Sequence, residues 1–190
     1  MSQDLPITSW ALLGLLSFDG EDAVGMTGYE LKQRADFTLR FYWVSPAMSQ
    51  VYTELRRLHD AGLVAPDGPS DSRGRGTRWS LTDAGRAALE EWMRETPAGF
   101  PVFKHPVALR LMVGHLADHA TLERMLEEYA GEVASARADL ADVRSSLEGA
   151  DAPGEPFHHP SLVADWGLAH FDSEAEITRH VLDRLREEER

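Results

Sequence analysis

Ser49, Gln50, Thr53, Arg56 and Arg57 recur at helical spacing, so on a helix they share one face. Hydroxyl, amide and guanidinium groups arranged this way can hydrogen-bond base edges and phosphate oxygens. A merely solvated face offers the same groups, so the neighbouring residues must decide between the two readings. Further along, Arg73, Arg75 and Arg78 stand in the stretch DGPSDSRGRGTRW at 67–79. Arginines spaced by glycines on a hairpin suit phosphate or minor-groove contact, although ordinary loop charges have the same composition. Other chemistries lack their parts. With no cysteine there is no disulfide framework or thiolate metal site. His115 and His119 are four apart, and His158, His159 and His170 follow in the same half. Asp118 is expected to cap a new helix between the first two, so no metal is expected. No Ser/His/Asp set, defined carboxylate pair, P-loop or dinucleotide fingerprint is visible, and neither an enzyme activity nor a cofactor is expected.

The elements that must position these groups can be read from caps and periodicity. Residues 6–18 (PITSWALLGLLSF) read as a helix apolar on nearly every side, which has to be covered on two faces. Thr27-Gly28-Tyr29-Glu30 reads as a capping box, starting a helix that should end near Asp36. Phe37, Phe41, Tyr42 and Trp43 fill the following turn and are expected to pack in the core. Ser45 as N-cap with Pro46 at the first helical position should open the next helix, which runs to about Ala61 and stops at Gly62. Met48, Val51, Leu55 and Leu58 form its inward stripe, and this leaves the polar set of the opening facing out. Leu63–Pro66 and Thr77–Leu81 are strand candidates around the arginine-rich loop. Thr82 then caps a helix with Leu89, Trp92 and Met93 on its apolar side. This order, two short helices, a reading face and a basic hairpin, is that of a winged helix-turn-helix.

Beyond the Pro- and Gly-rich connection at 96–106 the texture changes. Val107–Leu116 is a short, very apolar helix that must be buried. From Asp118 to about Gly149 the residues Leu122, Leu126, Tyr129, Val133, Ala136, Leu140, Val143 and Leu147 alternate spacings of four and three, a heptad seam. After the break at 151–156, residues 160–188 supply further helix with Leu162, Trp166, Ile177, Val181 and Leu185 inward. A second capping box at Ser173–Glu176 suggests a bend there. A long helix with so narrow a seam needs a partner. The final helical stretch is one candidate. The surplus of apolar surface favours two chains, with dimerisation through Leu122, Leu126, Tyr129, Val133, Leu140, Val143 and Leu147. The chain is thus expected to be mainly α: a winged helix-turn-helix with a small β-wing over 1–96, and a coiled-coil-like dimerisation and effector domain of long helices over 97–190.

With GYEL at 28–31, VYTELRRLHDAGLV at 51–64, RWSLTDAGRAALEEWM at 78–93 and ALRLMVGHLADHATLERMLEEYA at 108–130, the chain resembles the PadR family of bacterial transcription regulators, and in its C-terminal half the virulence-activator type. The resemblance implies a homodimer that binds double-stranded operator DNA, often a repressor released by a small aromatic or phenolic effector. It assigns DNA contact to Tyr52 and the Arg56-Arg57 pair, and a basic residue after GYEL is usual, here Lys32. Ser45, at the start of the reading helix, joins this set. Trp10, Trp92 and Trp166 are three tryptophans from three helices that can line an effector pocket, although ordinary packing is favoured.

The net charge of −13 opposes DNA binding, which depends on neutralising phosphates. Its distribution is uneven. Residues 101–190 hold 9 basic and 18 acidic side chains, net −9, whereas residues 32–80 hold 8 basic and 5 acidic, net +3. A locally basic surface on an acidic body remains compatible with DNA. The alternative is a protein-interaction adaptor that keeps the winged-helix scaffold without sequence-specific DNA binding. The apolar run Trp10–Phe18 lacks a basic leader and is too short to span a bilayer, so a cytoplasmic protein without a membrane anchor is expected.

Overall fold

The computed structural model describes residues 5–18, 24–43, 45–67, 76–101 and 104–188. The chain divides into two compact units, Met1–Gly99 and Phe100–Arg190.

The first unit is built on α1 (Ile7–Leu16), which buries Trp10, Leu12, Leu13, Leu15 and Leu16. Its apolar surround is covered within the unit by α2 (Gly28–Thr38), α3 (Met48–Asp60) and α4 (Asp83–Glu95). α2 starts at the capping box read from the sequence: Thr27 Oγ1 accepts from the Glu30 N–H at 3.2 Å, and Glu30 Oε2 accepts from the Thr27 N–H at 2.8 Å. α2 continues to Thr38 and passes into a 3-10 turn at Leu39–Phe41. The aromatic stretch there is not core as expected: Phe37 and Trp43 are each about half exposed.

Strand β1 (Met26–Thr27), too short to be read from the sequence, joins β2 (Val64–Asp67) and β3 (Arg78–Leu81) in an antiparallel sheet of order β1-β3-β2. In register, β3 pairs Trp79 with Met26 on one side and with Pro66 on the other. Thr82 caps α4, accepting from the Gly85 N–H at 3.0 Å. Leu89 and Trp92 pack on the core, but Met93 is 69% exposed and does not belong to the apolar side assigned to it.

The second unit is a helical hairpin with a short helix before it. α6 (His119–Ser146) is capped by Asp118, whose carboxylate accepts from the Thr121 N–H at 2.7 Å. α7 (His158–Glu188) is one continuous helix. The bend read at Ser173 is absent, because its hydroxyl donates back to the Ala169 carbonyl instead of capping a new start. α6 and α7 pack along their length, and Arg137–Asp172, Arg144–Asp165 and Arg186–Glu127 bridge them.

The side of α7 that faces α6 differs from expectation. Its buried residues are Ser161, Ala164, Gly167, Glu174 and Thr178, small or polar, whereas Leu162, Trp166 and Ile177 are 52%, 68% and 57% exposed. Small side chains on one helix give the leucines of the other room to enter. α5 (Pro106–Met112) departs in the same direction. The sequence demands its burial, yet Leu109 and Met112 are largely exposed, as is Leu116 in the 3-10 turn after it.

Candidate nucleic-acid interface

α3 does not begin at Ser45. Its N-cap is Ala47, and Ser45 turns instead to α2, donating to Asp36 Oδ1 at 2.6 Å and accepting from Lys32 Nζ at 3.2 Å. Lys32 also pairs with Asp36. This cluster of cation, carboxylate and hydroxyl ties the turn before α3 to α2. The bonds from Lys32 and Ser45 hold the Asp36 carboxyl below its ordinary range. Lys32 and Ser45, both assigned to DNA contact from the sequence, thus have intramolecular partners.

At its other end α3 closes with a Schellman motif. Gly62, at φ 73°, donates to the His59 carbonyl at 2.8 Å, and Leu63 donates to the Leu58 carbonyl at 2.9 Å. The left-handed conformation favours glycine here and stops the helix where the sequence indicated. Between these ends Val51, Leu55 and Leu58 are buried, and Ser49, Gln50, Thr53, Arg56 and Arg57 are exposed on one side. The Thr53 hydroxyl donates to the Ser49 carbonyl at 2.9 Å. Tyr52 is half-buried with its ring over Gly28, where a Cβ would meet it at 2.6 Å. The tyrosine therefore helps seat α3 on the start of α2.

The wing gives a mixed result. Arg73 and Arg75 lie outside the described residues. Arg78 sits in β3, within the strand read at 77–81, but its guanidinium has partners in its own chain rather than being left to DNA. Its Nε donates to the Gly25 carbonyl at 2.6 Å, and its Nη2 lies 3.1 Å from Glu30 Oε2. It clamps the capping box of α2 to the sheet. The Glu30 carboxyl is held below its ordinary value first by the Thr27 backbone N–H, with Arg78 adding to the effect.

Two buried polar groups escaped sequence reasoning. Ser9 on α1 is fully buried and donates to Glu54 Oε2 on α3 at 2.5 Å. In the second unit Tyr129 donates to Glu174 Oε1 at 3.0 Å, and His105 Nε2 approaches the same oxygen at 2.7 Å. His105 Nδ1 accepts from the Ala108 N–H at 3.1 Å, capping α5. Burial, then the bond to Glu174, raises the Tyr129 phenol. An acid at 54 or 174 interrupting a helical stripe was the available signal, but periodicity searches count only apolar residues.

The residues assigned to dimerisation are placed within one chain. Leu126, Val133, Leu140 and Val143 are buried in the hairpin with α7, while Leu122, Tyr129 and Leu147 are partly buried. The seam is an intrachain interface, not a free face, because α7 supplies the long partner that α6 needs. Trp10 and Trp92 stack directly, with ring centroids 5.4 Å apart and planes 10° from parallel, and Trp166 belongs to the other unit. No group of three or more His, Asp or Glu suited to a metal ion occurs among the described residues, and no helix of the described residues is long and apolar enough to cross a membrane.

No family model matches the sequence. No curated protein matches it either. Solved structures do share its fold. A PadR-like transcriptional regulator from Bacillus cereus superposes with a TM-score of 0.77 at 19% identity, covering 97% of this chain and 99% of its own. Bacillus subtilis PadR in complex with operator DNA gives 0.76 at 18% identity, covering 95% and 99%, and the same protein in complex with p-coumaric acid gives 0.75 at 19% with the same coverage. The virulence activator AphA of Vibrio cholerae gives 0.71 at 21% identity, covering 94% and 97%. Over nearly its whole length, then, the chain has the fold of the PadR-like regulators: a winged helix-turn-helix followed by a unit of long helices.

Proposed function

We propose that the chain is a DNA-binding transcriptional regulator, a homodimeric repressor that reads a pseudo-palindromic operator with α3 and is released by a small effector. The observation that carries this reading is the outward face of α3. Ser49, Gln50, Thr53, Arg56 and Arg57 are exposed together on a helix whose two ends are fixed, by the Lys32–Asp36–Ser45 cluster and by the Gly62 cap. A rigid helix presenting hydroxyl, amide and guanidinium groups is what major-groove reading requires. Bacillus subtilis PadR, of the same fold, has been solved with operator DNA and with p-coumaric acid, which supports both the DNA partner and an aromatic acid as effector class.

Dimerisation is supported by what a single chain leaves uncovered. Leu162, Trp166 and Ile177 lie along one side of α7, with Leu109, Met112 and Leu116 exposed on and after α5. So much apolar surface on one unit is characteristic of an interface. A second copy related by a two-fold axis covers it and presents two reading helices to the two half-sites.

Gln50 is the test. An amide can pair bidentately with adenine, so Gln50→Ala should cost about 1–3 kcal/mol on the preferred site and relax choice at one base position per half-site. A binding selection from random duplex measures both. Unchanged affinity and unchanged preference would reject α3 as the reading element and favour the adaptor reading.

A further inference from the structure

On α3 the inward stripe of Val51, Leu55 and Leu58 is interrupted by an acid. Glu54 lies on the same side and is only 5% exposed. Burying an ionised carboxylate is unfavourable unless hydrogen bonds and a counter-charge compensate. Both are present. From α1, Ser9 donates its hydroxyl to Glu54 Oε2 at 2.5 Å. From the solvent side, Arg57 brings Nε to 3.6 Å of the same oxygen while its side chain stays 46% exposed. Arg57 is also one of the two adjacent guanidinium groups on the outward polar face, and its neighbour Arg56 has no carboxylate partner among the described residues. The two arginines therefore stand in different electrostatic states.

We infer that Glu54 is a specificity-determining residue of α3: its buried carboxylate holds Arg57 back from phosphates, so that non-operator DNA engages one arginine of the pair more fully than the other. The inference rests on the DNA-binding reading above. Non-specific affinity follows the number of phosphates neutralised, each adding about 0.9 to the slope of log K against log salt. A guanidinium already facing a fixed carboxylate gains less from a phosphate, and leaving that carboxylate uncovers a buried charge. On the operator, base contacts hold the helix in register and depend less on this one cation.

Glu54→Gln keeps an oxygen for the Ser9 hydroxyl and removes the charge. Binding of a random-sequence duplex, measured by fluorescence anisotropy across a salt series, should tighten several-fold at low salt. Its slope should steepen by about 0.9, and the ratio of operator to random affinity should fall. Adding Arg57→Ala should abolish the gain. Ser9→Ala removes the hydroxyl but leaves the charge, so it should lower the melting temperature without raising random-duplex affinity. In the wild-type background Arg56→Ala should flatten the random-duplex slope more than Arg57→Ala, a comparison that does not require Glu54→Gln to fold. The inference is overturned if Glu54→Gln leaves the slope unchanged, if its gain survives loss of Arg57, if Ser9→Ala reproduces the gain, or if the two single arginine variants flatten the slope equally. A wild type that binds duplex while any of these holds overturns this inference alone. A wild type retained by no duplex at low salt overturns the DNA-binding reading with it.

Discussion

Replacing Trp166 by Ala separates the surface proposed for dimerisation from the core of the hairpin. A tryptophan offers about 250 Å² of surface at most. Trp166 is 68% exposed in the single chain, so about 170 Å² is open, equivalent to ~4 kcal/mol at about 25 cal/mol/Å² if it were wholly covered. Covering half of it gives about 2 kcal/mol per protomer. A two-fold interface counts the residue twice, so Trp166→Ala should weaken the dimer by about 4 kcal/mol, near a thousandfold in its dissociation constant. The far-UV spectrum and helical content should remain, because the residue leaves no internal cavity. Leu140→Ala should behave in the opposite way. Leu140 is fully buried on the face of α6 that packs on α7, so truncation should cost about 2–5 kcal/mol of folding stability. Sedimentation equilibrium across micromolar concentrations, paired with thermal melts, reads both quantities. The reasoning is refuted if Trp166→Ala dimerises like the wild type, or if Leu140→Ala yields a stable, fully helical monomer.

Two further outcomes are expected from the first unit. Arg78→Ala removes the clamp on Gly25 and Glu30 and should lower folding stability by about 1 kcal/mol, discounted for its partial exposure, with little change in DNA affinity measured where both proteins are folded; full stability with a large loss of DNA binding would return Arg78 to the phosphate contacts. Because the Glu30 carboxyl is lowered in the folded state, its contribution is present at neutral pH and is lost as pH falls below its ordinary value of 4.5 toward the lowered one. Glu30→Gln should therefore flatten the acid limb of a stability-versus-pH curve, and an unaltered limb would show that the box is indifferent to this charge.

Much of the first unit was legible because its signals are local. A capping box, a Gly after a helix and a Thr before one satisfy backbone groups within a few residues, and Thr27, Gly62 and Thr82 all do so where the sequence placed them. Ser45 and Pro46 misled by two residues because the hydroxyl found a better partner in Asp36, a tertiary bond that no local rule anticipates. Strand β1 escaped because two residues carry no period. On α7 the phase was read in part from Leu162, Trp166 and Ile177, and these point outward, whereas Val181 and Leu185 are half-buried. Ser161, Ala164 and Gly167, which admit α6, are quiet in any hydrophobicity pattern. Of the candidate site, the outward polar face of α3 was readable by elimination from its apolar stripe, whereas the inward-facing Glu54 needed the position of Ser9 to be understood.

The end of α3 has a mechanical consequence. Thr82 donates its hydroxyl to the Gly62 carbonyl at 2.8 Å and its N–H to the Leu63 carbonyl at 3.1 Å, and Gly85 lies so close that a Cβ there would overlap the Leu63 carbonyl oxygen. The C-terminal cap of α3 is therefore held to the start of α4 by three contacts on two successive residues, Gly62 and Leu63. Such a joint has almost no play. A tilt imposed at the far end of α4 reaches α3 through these contacts directly, without passing along the residues that separate the two helices in sequence. It is passed to α3, with α4 acting as the lever arm and the Leu63–Gly85 contact as the fulcrum.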